Sequence, residues 1–240
     1  MKDLYKPFIE CVNLRQVLKQ SGEEINARAF DQKFIGDVII TPECMVSMIK
    51  PVLNHLRDHA HITGYSLFKD KQGQKIASDM VTFRSTPIAD DFAVKSFFSE
   101  DGFKNENVSI IDKGVLNTHL LTLYGANKTG LDRSRTDGSN ISIDPGTTKL
   151  TDIIKNTEKG LLLSRFSGGI PNDNGDFSGI AKNSYFIENG EIKYPVKEIM
   201  VTGNIIQMMR NIVDVSEESI DFGCMNFPWV KVSGFTISGK

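Results

Sequence analysis

The sequence predicts an α+β fold: a large, mostly antiparallel sheet or partly closed barrel with helices packed against it. Two hairpin signals carry this. Asn189-Gly190 separates the apolar runs Ser184–Glu188 and Glu191–Tyr194, and a type I′ turn needs φ > 0 at both central residues. Asp112-Lys113-Gly114 joins Val108–Ile111 to Val115–Leu123 as a three-residue loop with glycine where a left-handed residue is needed. The third observation is that such signals dominate over βαβ alternation, which argues against a doubly wound parallel sheet.

In chain order, Leu4, Phe8, Cys11, Val12 and Leu18 form a helical stripe ending at Ser21-Gly22, and Glu23–Lys33 reads as a polar linker. Val38-Ile39-Ile40 is a short buried strand. Thr41 and Pro42 follow as N-cap and first helical residue of a helix carrying Cys44, Met45, Met48, Ile49, Val52 and Leu56, with Pro51 as a kink. The middle of the chain reads as mostly β, with strands at Ser66–Phe68 and Met80–Phe83, a polar loop at Pro87–Ala93 and an exposed connection at Ser99–Asn105. His119, among leucines, reads as a satisfied strand histidine. Asn127–Asn140 is a long turn-rich segment with Arg133 and Arg135. Leu150, Ile153 and Ile154 mark a short amphipathic helix.

Gly160–Asn211 is the most organised stretch. The apolar run Leu161-Leu162-Leu163 leads to Ser167-Gly168-Gly169, where missing Cβ atoms let another backbone approach. A turn-rich segment, Pro171–Asp176, and the Asn-Gly hairpin follow, with Pro195 ending or edging its second strand. Ile205, Met208, Met209, Ile212 and Val213 then recur at helical spacing. Trp229–Val232 and Phe235–Ile237 close the chain as two strands.

At 240 residues one large domain is the default, able to bury roughly 70% of its unfolded surface. The 28 basic and 30 acidic residues leave a net charge of −2, which gives no electrostatic case for a nucleic-acid partner. Three scattered cysteines point to a reducing compartment rather than a disulfide scaffold. No basic-then-apolar leader and no apolar run of membrane-spanning length is seen, so the expectation is a cytoplasmic protein with no membrane partner. There is no Gly-x-Ser-x-Gly elbow, P-loop or Cys-x-x-Cys. Asp90-Asp91 and Glu217-Glu218 read as surface charge.

Three residues have metal-ligand chemistry. His55 and His59 stand four apart, which on one continuous helix puts both imidazoles on one face. The competing reading is a solvated helix end, where histidine also suits the helix dipole. Leu56 follows His55, so no glutamate stands there to activate water. Cys224, between Gly223 and Met225, reads as a small core residue.

The run GLLLSRFSGG…GDFSG…YFIENGEIKYPVKEIMVTGN…RNI resembles the C-terminal domain of the TldD/TldE family, whose TldE branch is also called PmbA, historically "modulator of DNA gyrase". ENGEI-x-YPV-x-EI and the following GN…M-x-RNIV place it nearer the TldE branch. The similarity extends from about Val38 to the C-terminus, with weaker anchors at Gly73–Val81, Asp112–Leu116 and Cys224–Lys240. It implies that residues 1–34 are a helix and linker left from a preceding domain, and that 35–240 form the family's C-terminal domain. It implies a TldE/PmbA-like subunit of a metallopeptidase acting on unfolded peptides in proteolysis and peptide maturation. This chain would have no metal or cofactor of its own, and zinc would sit in a TldD-like partner subunit. Self-association is the alternative to that partner.

In the TldD branch a His-Glu-x-x-x-His helix and a distant cysteine hold the metal. Cys224 matches that cysteine, which the TldE branch can keep without the histidines. The glycine-ended strand then reads as a groove for an extended peptide, with Phe166, Ser167, Gly168, Gly169, Asp176, Phe177 and Ser178 as its residues. In the family the Asn127–Asn140 region lies near the substrate tunnel, which offers Arg133 and Arg135 as grips for a peptide carboxylate against the plainer reading of a solvated basic loop. Two alternatives stand beside this: a self-sufficient zinc metallopeptidase using His55, His59 and Cys224, and a non-catalytic peptide-binding module.

Overall fold

The computed structural model describes residues 14–239. Helix α1 (Leu14–Glu23) and a 3-10 turn (Glu24–Asn26) lead into β1 (Lys33–Ile40), followed by α2 (Pro42–His55) and α3 (Asp58–Thr63). Short strands β2 (Phe83–Ser85), β3 (Val108–Asp112) and β4 (Val115–Leu116) precede α4 (Leu123–Thr129), β5 (Ile141–Ile143) and α5 (Leu150–Lys155). The C-terminal part supplies β6 (Lys159–Leu163), β7 (Arg165–Gly168), β8 (Asp176–Lys182), β9 (Ser184–Glu188), β10 (Glu191–Val196), β11 (Ile199–Asn204), α6 (Ile205–Arg210), β12 (Ile212–Asp221) and β13 (Met225–Ser238). Leu4, Phe8, Cys11 and Val12 of the expected first stripe lie outside the described residues. Among the described residues no helix is long and apolar enough to cross a membrane.

All thirteen strands belong to one open sheet, ordered β10-β9-β6-β1-β13-β5-β2-β3-β4, with β11, β12 and the β7–β8 pair branching from β13 and β11. The expected α+β class holds, with an open sheet rather than a barrel. Only β1–β6 and β13–β5 run parallel among the described pairs.

The parallel pair explains two unbroken apolar runs. Val38 and Ile40 of β1 and Leu161 and Leu163 of β6 face the main core under α2, while Ile39 and Leu162 face a second cluster with Ile153, Tyr185 and Ile187. A strand covered on both faces needs no polar alternation. Gly160 admits the close pairing, because a Cβ there would stand 2.1 Å from the Asp37 carbonyl oxygen.

The Asn-Gly hairpin forms as expected, with φ of 51° at Asn189 and 76° at Gly190. Pro195 sits on the edge strand β10. Thr41 caps α2, its hydroxyl accepting the Cys44 N–H at 3.4 Å.

Several expectations need correction. The first helix passes through Gly22. Ser66–Phe68 is a turn, because the Ser66 hydroxyl accepts the Phe68 N–H at 3.2 Å and holds the chain locally. The Met80–Phe83 strand begins only at Phe83. The β3–β4 hairpin turns on two residues, Lys113 (φ 44°) and Gly114 (φ 80°), and β4 stops at Leu116, so His119 is not in a strand. Thr122 caps a helix that takes in Asn127–Thr129 of the expected loop. Helix α6 ends at Arg210, and Ile212 and Val213 start β12 instead. The two closing strands are one, β13, with Gly234 at φ 89° within it. Ser99–Asn105 is not simply exposed: Asn105 is fully buried, donating to Asp137 Oδ2 at 3.0 Å.

Gly160→Ala must push the β1 backbone away, so it is expected to lower unfolding stability by about 2 kcal/mol or more in urea titration. An alanine variant as stable as the parent would show that the β1–β6 contact does not set the register.

Candidate functional site

Strand β1 hands the chain to α2 at Thr41, and neighbouring β6 hands it to β7 at Ser164; the Thr41 N–H donates to the Leu163 carbonyl at 3.0 Å. Helix α2 and strand β7 therefore start side by side. Between them opens a cleft of about 420 Å³ whose remaining wall includes Ile205 and Met208 of α6.

The floor is apolar: Met48, Phe177, Ile205 and Met208 are buried, and Phe166 packs edge-on against Phe177 with centroids 5.7 Å apart. The glycines serve this ring. A Cβ on Gly169 would lie 2.4 Å from the Phe166 ring and one on Gly179 2.5 Å from it, with the Ser178 and Ser167 carbonyl oxygens next at 3.1 and 2.9 Å, so the space is filled mainly by the aromatic side chain. Gly168 and Gly169 also take φ of 85° and 71°, a region that favours glycine. Among the described residues β7 pairs only with β8, and its Phe166 N–H meets the Cys44 thiol.

Of the expected groove residues, Phe166, Gly168, Gly169 and Phe177 line the cleft. Ser167, Asp176 and Ser178 do not. Ser178 bonds Thr202 across β8–β11 at 2.9 Å, and Asp176 accepts from Asn204 at 2.8 Å. Strand alternation accounts for this, since neighbours in a strand face opposite sides. The α2 and turn residues Met48, Lys50, Asn54 and Tyr65 were missed as cleft residues; the apolar stripe of α2 carried the signal but reads equally as core.

The two histidines do not share a helix face. Helix α2 ends at His55, α3 starts at Asp58, and the Tyr65 ring packs on both imidazoles, 5.5 Å from His55 and 5.6 Å from His59. His59 is exposed and bonds the Tyr65 hydroxyl at 3.1 Å. His55 is buried beside the cleft, its Nδ1 accepting the Leu67 N–H at 3.4 Å; burial lowers its pKa and Asp173 opposes this.

Cys224 is exposed in the turn between β12 and β13, not in the core; Asp221 accepts the Gly223 N–H there at 2.6 Å, and the tight turn points the thiol outward. Of the two described cysteines the buried one is Cys44, its pKa pushed up to about 12 by desolvation. Among the described residues no three His, Cys, Asp or Glu side chains converge as a metal set. His55, His59 and Cys224 thus do not fit a zinc ion as placed.

Arg133 and Arg135 are engaged internally. Arg133 donates to both Asp101 oxygens (2.9 and 2.7 Å) and to Ser99 at 2.7 Å, and stacks 4.0 Å over Phe103. Its guanidinium holds the Asp101 carboxyl well below the usual carboxylate range. Arg135 pairs with Glu106 at 2.9 Å on the surface. Arg133 is neither a solvated loop charge nor a free grip for a carboxylate.

Beside the Tyr65 wall, His61 and His119 are buried with ring centroids 4.3 Å apart. His119 Nε2 contacts the Phe68 carbonyl at 3.1 Å, and His61 Nδ1 has no partner among the described residues. Burial, with His119 and Lys69 disfavouring charge on the ring, lowers His61 to about 4; burial lowers His119 as well.

Residues 34–239 match the family described as "PmbA/TldA metallopeptidase C-terminal domain". "Metalloprotease PmbA" of Escherichia coli O157:H7 is 32% identical over 173 residues, covering 69% of this chain and 38% of that protein. "Metalloprotease PmbA homolog" of Haemophilus influenzae is 28% identical over 211 residues, covering 81% and 47%. A crystal structure described as a putative modulator of DNA gyrase from Bacteroides thetaiotaomicron superposes with a TM-score of 0.87 at 28% identity, over 94% of this chain and 52% of that one. TldE from Thermococcus kodakarensis superposes at 0.81 with 20% identity, over 94% and 55%, which speaks to the fold alone. The chain spans about half or less of the length of these relatives.

The histidine pair sets an acid limit on stability. His61 ionises at its ordinary value near 6.5 when unfolded but near 4 when folded, so the unfolded state binds the proton first as pH falls. Its contribution is complete above pH 6.5 and lost toward pH 4. Urea unfolding should show a loss of roughly 2 kcal/mol between pH 7.5 and pH 5, and His61→Phe should flatten that limb; an unchanged slope in the variant would count against the assignment.

Proposed function

This chain belongs to the PmbA/TldD metallopeptidase family, and we propose that it is a TldE/PmbA-like subunit that holds unfolded peptide while a TldD-like partner supplies the zinc and cleaves. The observation that carries this reading is the cleft between α2 and β7: an apolar floor, a strand edge that pairs with no other strand among the described residues, and glycines at the strand's end. Apart from the Phe166 N–H, which meets the Cys44 thiol, an extended chain beside such an edge gains main-chain hydrogen bonds largely independent of its sequence, which suits unfolded substrates.

A partner with its own metal is supported by the chemistry of the donors here. His55 already accepts from Leu67, Tyr65 stands against both histidines, and Cys224 lies in an exposed turn. One relative, from Saccharolobus solfataricus, is named a zinc metalloprotease TldD homolog, which supports zinc within the family. In this proposal residues 35–240 are the family's C-terminal domain, residues 1–34 belong to the connection from a preceding domain, and the assembly works in the cytoplasm.

Purified chain alone is expected to leave an unfolded peptide intact and to carry no stoichiometric zinc, while mixing with a TldD-like subunit gives hydrolysis. Ser47→Trp, on the exposed side of α2 at the cleft mouth, should lower the mixture's rate about ten-fold or more with the fold unchanged by circular dichroism. Hydrolysis by the chain alone, with one zinc removed by His55→Ala, would overturn the proposal.

A further inference from the structure

The cleft has a chemical preference. Its floor of Met48, Phe166, Phe177, Ile205 and Met208 offers only apolar surface, and methionines adapt to differently shaped side chains. Among the described residues no carboxylate lines it. Its charged group is Lys50, exposed and without an ion-pair partner among the described residues. Asp173, on the loop after β7, is the acidic group felt by His55.

Ile170 adds an independent sign. It stands on the rim at 93% exposure, the highest among the described large apolar side chains. An apolar rim above an apolar floor has water on it only while the cleft is empty. His55 supplies one directional group: with Nδ1 accepting from Leu67, the neutral ring carries its hydrogen on Nε2, which has no partner among the described residues and is not sealed from solvent.

We propose that the cleft selects extended segments carrying a bulky apolar side chain, of Phe, Leu or Met size, seated on this floor, while His55 Nε2–H donates to a carbonyl of the same segment. This rests on the peptide-holding role above. A lysine or arginine side chain finds no counter-charge on the floor and meets Lys50; a serine leaves the floor wet. About 420 Å³ falls in the range of pockets that bury a ligand of a few such groups.

The test is fluorescence anisotropy of the full chain with labelled, unstructured glycine–serine peptides bearing one central Phe, Leu, Ser or Lys. Phe and Leu peptides are expected to bind about ten-fold or more tightly than Ser and Lys peptides, the transfer preference of one large side chain. Ile170→Asp, at a fully exposed position, should erase most of that difference, and Ser47→Trp should abolish binding of all four. Equal affinities across the four peptides would overturn this inference and leave the peptide-holding role standing. No binding by any peptide would overturn both. Selectivity unmoved by either variant would place binding elsewhere and overturn the inference.

Discussion

The parallel contact between β1 and β6 is the constraint on which the molecule's working parts depend. Asp37 pairs with Gly160 and Ile40 with Leu163, and the chain leaves both strands at the same level of the sheet. Helix α2 and strand β7 begin within two residues of that level, so their separation is inherited from a backbone contact that a single Cβ at Gly160 would prevent. Both faces of this pair are buried, the main core on one and the Ile39–Leu162–Ile187 cluster on the other. Rigidity therefore comes from two sides, and the cleft is held open by the sheet rather than by its own loops.

Much of this architecture was legible in the residues. Asn189-Gly190 defines a turn because its backbone demand is local, and Thr41-Pro42 starts a helix for the same reason. What was illegible depended on distant partners. The parallel pairing of two apolar triplets cannot be told from a buried antiparallel one by composition. Ser66–Phe68 has strand-like residues, yet Ser66 spends its hydroxyl on the local backbone and on the His55 carbonyl at 2.5 Å. Ile212 and Val213 continue a helical rhythm, but the helix is only six residues long and β-branched residues pass readily into β12.

The site divided along the same line. Phe166, Gly168, Gly169 and Phe177 line the cleft, while Ser167, Asp176 and Ser178 face away from it, because spacing in the sequence does not give the face of a strand. The i, i+4 argument for His55 and His59 assumed an unbroken helix, and the break at Leu56–Arg57 removed its premise. Cys44 is buried, in keeping with its place on the helix stripe, whereas Cys224, read as a small core residue, is turned out by the bend at Gly223. Tyr65, which decides how the histidines relate, carries no sequence signal at all.

At the opposite margin, β10 ends differently from β7. Pro195 has no N–H to offer, and its carbonyl already accepts the Arg28 N–H at 2.9 Å, while Lys197 donates to the Arg28 carbonyl at 3.0 Å. A stray strand arriving there meets a plugged seam. Growth of the sheet by backbone annealing, the usual route to fibres, is blocked on that flank by one imino acid and a short passing segment. The β7 border, by contrast, has no second strand among the described residues and faces α2 across the cleft.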